Sequence, residues 1–329
     1  MNHIYVTGNF KNTLNLYDVN GNQTIAITNN DTKSTFIVKY DLDGTPIWAS
    51  KIEGIEDNDG ISICTDDYNT YICGNFHTNA IFYDVDGNQG PELTNSGNLD
   101  IFIAKYDENG YPIWATFLES SGLDKTFSLC TDKTNIYITG TYNNTLSVYD
   151  SDGNSSFTLE NNSINQYTFI IKYDLDGYPI WCSALKPKPD INGVIRSIQI
   201  NSVYINQSNI YITGNALFGE ISVNDANDNQ VLLLNMTNTR NTFVINYDTN
   251  GTPMWGNKCG NSGYLSTNAI CADNDNIYIT GNFNSNQIDL YDASDNYTNS
   301  LIPIPLESIN IFIIKYNSFG YPLWNVVLA

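Results

Sequence analysis

The chain has 329 residues, 41% hydrophobic and 13% aromatic, which is enough for a large folded core and too apolar for a disordered segment. Its net charge is −21, from 14 Lys and Arg against 35 Asp and Glu. That balance excludes the phosphate-neutralising surface needed for nucleic acid or an anionic membrane, and no apolar run is long enough for membrane insertion.

Met1-Asn2-His3 leads straight into the strand-like Ile4-Tyr5-Val6, so no signal peptide is expected. From there three landmarks recur in a fixed order. The first is Tyr-x-Thr-Gly, at Tyr5 to Gly8, Tyr71 to Gly74 (with Cys73 for Thr), Tyr137 to Gly140, Tyr211 to Gly214 and Tyr278 to Gly281. The second is a β-run ending in Tyr40, Tyr106, Tyr173, Tyr247 and Tyr316. The third is Gly-x-Pro-x-Trp, which holds all five tryptophans: Trp48, Trp114, Trp181, Trp255 and Trp324. The repeats run approximately over 1–53, 54–119, 120–186, 187–260 and 261–329, within a single domain spanning 1–329.

Each unit reads as strands. Strand A is the stretch like Ser62-Ile63-Cys64-Thr65, and strand B is like Asn135-Ile136-Tyr137-Ile138-Thr139-Gly140. Strand C resembles Ile101 to Tyr106 and strand D Pro112 to Thr116, joined by Asp-x-Asp/Asn-Gly, a tight-turn signal because Gly takes positive φ freely. A further hairpin, such as Ala80 to Asp84 and Glu92 to Thr94, is inserted between B and C. No helical periodicity appears. The expected fold is all-β, a five-bladed β-propeller with antiparallel blades of about four strands, because each unit holds enough strands for one small sheet whose aromatics must be buried against neighbours. Strand A is absent from the first copy, so the first blade is expected to lack its innermost strand along residues 4–10. Pro46, Pro112, Pro179, Pro253 and Pro322 open strand D, where they are expected to protect an exposed outer edge or to shape the turn.

The cysteines lack metal spacing. Cys64, Cys130 and Cys271 share one repeat position, with Tyr204 in the fourth copy, and Cys182 follows Trp181; these read as small buried strand residues. Cys64 and Cys73 are placed to face one another across a hairpin, as thiols in a reducing compartment.

The series Asn-Ile-Tyr-Ile-Thr-Gly followed by Phe-Ile-x-Lys-Tyr-Asp-x-x-Gly-x-Pro-Ile-Trp resembles the SBBP class of β-propeller repeats. With the inserted Tyr-Asp-x-x-Gly-Asn hairpin it is most similar to repeat proteins encoded by giant viruses of amoebae. The resemblance covers nearly the whole chain. It implies the propeller fold, a place in a host cytoplasm or a virion, and no catalytic residue.

Three chemistries have candidate residues. Asp66, Asp132 and Asp273, with Asn206, could be imagined as glycosidase carboxylates, but they recur in nearly every copy and read as turn-capping residues. Only two histidines, His3 and His77, are present, which leaves little material for histidine-dependent catalysis. Asp84-x-Asp86-Gly87-Asn88 and Asp150-x-Asp152-Gly153-Asn154 offer alternating oxygens as calcium loops do, yet lack a distant bidentate Glu, so structural turns are favoured. No catalytic or cofactor-binding residue is assigned, and no metal ligand is chosen. The expected role is a structural or protein-interaction module; the alternative is lectin-like glycan binding at one site per blade. The fourth copy departs most, with Lys186-Pro187-Lys188-Pro189-Asp190 and Arg196 inserted, Asn246 replacing the strand C lysine (Lys39, Lys105, Lys172, Lys315), and Arg240 just before it. These departures are read as drift.

Overall fold

The computed structural model describes residues 3–30, 32–95, 98–163, 165–189, 197–206, 208–261, 263–302 and 309–328. Every regular element among them is a β-strand. The chain divides into two compact units, with the division passing through the third repeat: residues 1–138, 142–162 and 172–180 form the first, and 139–141, 163–171 and 181–329 the second.

In the first unit, strand B of the first repeat (His3–Phe10) pairs with strand C (Ser34–Asp41), and C pairs with D (Pro46–Glu53). His3–Phe10 is the edge of its sheet. The second repeat has the additional strand A, in the order Asn58–Thr65, Thr70–Phe76, Asp100–Tyr106, Pro112–Glu119. The strand periodicity of the sequence explains the placement. Ile37, Ile72, Phe76, Phe102 and Phe82 are fully buried in one cluster, because alternate residues of neighbouring sheets face each other.

The inserted hairpins do not extend their own sheets. The hairpin Asn79–Tyr83 with Gln89–Thr94 adds to strand D of the first repeat, through Ile52↔Phe82 and Glu53↔Ile81. The next hairpin, Leu146–Tyr149 with Ser155–Leu159, adds to strand D of the second repeat through Leu118↔Val148 and Glu119↔Ser147. This corrects the expectation of an exposed edge at strand D. Pro46 is buried and Pro112 half-buried, and Pro112 packs so closely under Gly90 of its own hairpin that a Cβ there would meet it at 2.6 Å. The prolines shape the entry to D opposite a bulge that recurs between Lys39/Tyr40 and Lys105/Tyr106.

In the second unit, strand D of the third repeat (Pro179–Lys188) pairs with the fourth repeat through Leu185↔Val223. There B, the hairpin and C merge into two long strands, Asn209–Asn224 and Gln230–Asp248, with strand A (Ile198–Asn206) alongside. Strand D of the fourth repeat (Pro253–Asn261) receives the hairpin Ile288–Tyr291 with Tyr297–Leu301 through Cys259↔Leu290. The fifth repeat forms the sheet Tyr264–Ala272, Asn276–Asn284, Asn310–Asn317, Pro322–Leu328. Of the fourth-repeat insertion, Lys186 to Lys188 extend strand D, while Asp190 and Arg196 lie outside the described residues.

Two cysteine expectations are corrected. Cys64 lies opposite Tyr71 and Cys73 opposite Ser62, so the two thiols do not face each other, because the turn between Thr65 and Thr70 sets the register two residues away from that pairing. Cys182 is buried as expected from its place in strand D, but Cys64 and Cys130 are half-buried and Cys271 is exposed.

Candidate functional site

The three sequence landmarks meet at one place in each repeat. The strand register sets Tyr5, Lys39 and Trp48 in one row across B, C and D. Trp48 lies edge-on to Tyr5 at 6.2 Å, and the Lys39 ammonium sits 5.7 Å from the Tyr5 ring centroid. The turn of the following repeat then receives both donors, since Trp48 Nε1 and Lys39 Nζ donate to the Glu108 carbonyl at 3.1 and 2.8 Å. The second repeat does the same with Trp114 and Lys105 on the Leu175 carbonyl, at 3.2 and 2.9 Å. In the second unit Trp181 donates to Thr249 O and Trp255 to Ser318 O. The turn glycine fits beneath the indole, where a Cβ on Gly110 or Gly320 would meet Trp48 or Trp255 at 2.9 or 2.8 Å. A strand D hydroxyl adds a second tie, from Ser50 to Tyr83 O, Thr116 to Tyr149 O and Ser183 to Asn224 O. The landmarks are the parts of an inter-repeat joint.

Two joints enclose equivalent grooves. One, of about 280 Å³, is lined by Ala26 to Thr28, Lys51 and Tyr83 to Gly87. The other, of about 100 Å³, is lined by Leu232 to Asn235, Lys258, Asp292 and Asp295. Lys51 and Lys258 lie over Tyr83 and Tyr291 at 4.6 and 4.8 Å. Both ammonium groups are engaged within the protein, Lys51 by Glu53 at 2.6 Å and Lys258 by Asp295 at 2.7 Å. At the intervening joint of the first unit Phe117 stacks on Tyr149 instead, at 4.3 Å and 12°. A pocket identical in every repeat, as a lectin-like reading requires, is therefore not what the joints present.

The strand A aspartates stand at turns. Asp66 Oδ1 accepts the N–H groups of Tyr68 and Asn69, both at 2.6 Å, and Oδ2 accepts the Tyr71 hydroxyl at 2.8 Å. Asp132 holds Thr134, Asn135 and Tyr137 in the same way, and Asp273 holds Asp275, Asn276 and Tyr278. Burial raises the Asp66 carboxyl, but these donors outweigh it and hold the group below its ordinary value. The Asp275 N–H and the Tyr278 hydroxyl hold Asp273 down at about 2. Asn206 in the fourth copy donates instead, to the Asp273 carbonyl.

The turns read as possible calcium loops also use their own oxygens. Asp84 Oδ1 accepts from the Asp86 and Asn88 amides at 2.9 and 2.8 Å, and Asp86 Oδ2 accepts the Tyr111 hydroxyl at 2.6 Å. Asp150 repeats the Asx geometry, and Asp152 accepts from Tyr178. Among the described residues, no three His, Cys, Asp or Glu side chains converge as a metal-ligand group.

One acidic pair was not singled out from the sequence. Asp100 and Asp124 are both fully buried, and burial pushes each carboxyl up to about 7, with the Asp124 charge and Glu119 adding to the effect on Asp100. Asn95 donates to Asp100 and Ser120 to Asp124, yet among the described residues Asp100 Oδ1 and Asp124 Oδ2 have no hydrogen-bond partner. The same two positions at the preceding joint are Ser34 and Asn58, where Asn58 N donates to Lys33 O as Asp124 N does to Leu99 O. Being closed from solvent, the acid pair has no face to offer a substrate.

No family model matches the chain. An uncharacterized WD repeat-containing protein of Acanthamoeba polyphaga mimivirus is similar, 26% identical over 324 aligned positions that take in 86% of this chain and 23% of the relative. The chain thus spans about a quarter of the length of the curated relative it matches. The chain is thus similar to a WD repeat-containing protein of a giant virus, and its own described sheets are antiparallel throughout.

Proposed function

We propose that the chain is a non-catalytic structural or protein-interaction module, in which each of the five repeats supplies one propeller blade and the whole serves a giant virus in the infected cell or the virion. The observation that carries this reading is where the polar chemistry goes. The repeated Tyr, Lys, Trp and Asp residues serve joints and turns, with Trp48 and Lys39 both spent on one carbonyl and Asp66 on three donors. Carboxylates committed in this way cannot act as an acid and base pair, whereas outer hairpin surfaces remain available for contact. The similarity to a viral WD repeat-containing protein agrees with such a role.

The test pairs two measurements on the purified chain. Glycan-array and chromogenic glycoside assays are expected to show neither binding nor turnover. Cross-linking mass spectrometry in giant-virus-infected amoebae is expected to join the outer hairpins to one reproducible protein partner. Sugar bound once per repeat, or a hydrolysed glycoside, would overturn the reading.

A further inference from the structure

The tight turns of the first unit gather at one end of its strands. Strands A and C run toward this end and strands B and D away from it, since each neighbouring pair is antiparallel. The Glu108 and Leu175 carbonyls, which take Trp48 and Trp114, set the C-to-D turns of successive repeats side by side. Each hairpin turn stacks on the C-to-D turn of its own repeat, where a Cβ on Gly44, Gly110 or Gly177 would meet Val19, Val85 or Ser151 at 2.9, 2.5 or 2.8 Å. The A-to-B turns join the same end, with Lys133 of one on Asp67 of the other at 2.7 Å.

Eight such turns, over 18–22, 41–45, 66–69, 84–88, 107–111, 132–135, 150–154 and 174–178, carry fourteen Asp and Glu and a single cation, Lys133. Each turn needs one of these acids. Its first residue is an Asp whose Oδ1 accepts turn amides, as Asp84 and Asp107 do. Six acids are surplus to turn formation: Asp43, Asp67, Asp86, Glu108, Asp152 and Asp176. Exposed lysines stand at the other end of the strands, Lys11 after strand B and Lys125 at the start of strand A.

Apolar side chains reach the surface at the acidic end. On the face of strand D away from the indole, the first repeat's own hairpin packs over Ala49 through Leu16. Two residues nearer the turn, Ile47 is 45% exposed, and Ile113 and Ile180 at the same position are 50% and 46% exposed. Met254 repeats the feature in the second unit. Strand propensity accounts for a β-branched residue there, but not for the tyrosines that precede two of them. Tyr111 and Tyr178, just outside strand D, are exposed, and surplus acids hold their hydroxyls: Asp86 accepts from Tyr111 at 2.6 Å and Asp152 from Tyr178 at 2.7 Å. Strand alternation places each ring on the same side as its isoleucine, with a carboxylate at its tip.

We propose that this end of the first unit is the docking face for a basic polypeptide segment, whose Arg or Lys side chains meet the surplus carboxylates while its aliphatic side chains cover the Tyr–Ile pairs. The inference rests on the protein-interaction reading and gives it a face and a partner chemistry. Charge complementarity selects the occupant, because a second copy would bring a net charge of −21 to an acidic face. The apolar pairs select against a purely ionic segment, since exposed ion pairs contribute little whereas a covered isoleucine contributes by its area.

The probe is a fluorescein-labelled peptide of repeated Arg-Gly-Leu triplets, with Arg-Gly-Ser and Glu-Gly-Leu peptides as comparators, titrated with the whole chain by fluorescence anisotropy. Arg-Gly-Leu is expected to bind roughly ten-fold tighter than Arg-Gly-Ser, more weakly as salt rises, and Glu-Gly-Leu not at all. Ile113→Ser combined with Ile180→Ser should remove that advantage and leave Arg-Gly-Ser binding unchanged. Asp43→Asn combined with Glu108→Gln should weaken both Arg peptides. Ile55→Ser, an exposed position at the opposite end, should change neither, with circular dichroism showing every variant folded. Equal binding of the two Arg peptides, or indifference to the isoleucine pair, would overturn the inference. A protein partner cross-linked in infected cells without these peptide effects would overturn it too, while leaving the module reading in place.

Discussion

The indole nitrogen of Trp114 lies 3.2 Å from the carbonyl of Leu175, and with Lys105 on the same oxygen it ties one repeat to the turn of the next. Trp114 is 8% exposed, so removing it loses both the ring and the bond. Trp114→Ala is expected to cost about 3–5 kcal/mol in denaturant unfolding. Trp114→Phe keeps most of the packing and should cost about 1 kcal/mol, mainly the lost indole hydrogen bond, since Lys105 still donates to the Leu175 carbonyl. Within one chain Trp324→Ala should cost less than about 1 kcal/mol, since its ring is already 43% exposed.

The glycine of Tyr-x-Thr-Gly makes a sharper internal comparison. A Cβ on Gly74 would meet the Asp59 carbonyl at 2.0 Å and the Phe102 ring at 2.5 Å; Gly214 and Gly281 face Gln199 and Ser266 in the same manner. The obstacle is the backbone of strand A. Gly8 meets only the Phe36 ring, at 3.0 Å, because no strand A lies beside it. Gly74→Ala is therefore expected to destabilise by about 1–3 kcal/mol, and Gly8→Ala by no more than about 0.5 kcal/mol. Equal effects at the two sites in thermal unfolding would contradict this account.

These comparisons show what the sequence could reveal. Tyr, Lys, Trp and the turn glycine recur because they form one joint, and their spacing marks the repeat in the sequence. The partner of the inserted hairpin was not legible. A short alternating run such as Asn79–Tyr83 specifies a strand but not which edge it joins, and here it joins the preceding repeat. For the same reason the sequence leaves open whether the proline at D guards an exposed edge or shapes the turn, and the structure favours the second. Asp100 and Asp124 are not legible as a pair because each is a lone aspartate at or just before a strand start, and only tertiary packing brings a second acid to it.

Calcium gives a third test. The oxygens of Asp84 and Asp86 already accept amide and Tyr111 hydroxyl hydrogens, so binding an ion would first require those bonds to break. Millimolar calcium or EDTA is expected to shift Tm by less than about 1 °C, as linkage requires when the folded state has no preferential affinity. A calcium-dependent rise of several degrees would reassign these turns.

The buried acids set the pH response. Asp100 and Asp124 have folded values near 7, above the ordinary carboxyl value, because burial penalises the charged form. The folded state therefore binds protons that the unfolded chain releases. The stability from this linkage is complete below about pH 4 and is lost as pH rises from there through about 7. Other carboxylates act in the opposite sense: Asp66 and Asp132 are held low by their donors and lose their contribution only as pH falls through their folded values. The preceding joint already shows the neutral solution, with Ser34 and Asn58 at the same places. Asp124→Asn should therefore stabilise the protein at pH 8 by about 2–4 kcal/mol, with little effect near pH 4. Urea unfolding at the two pH values measures the difference. A variant less stable than wild type at pH 8 would mean that the acid pair is held charged by an interaction these side chains do not supply.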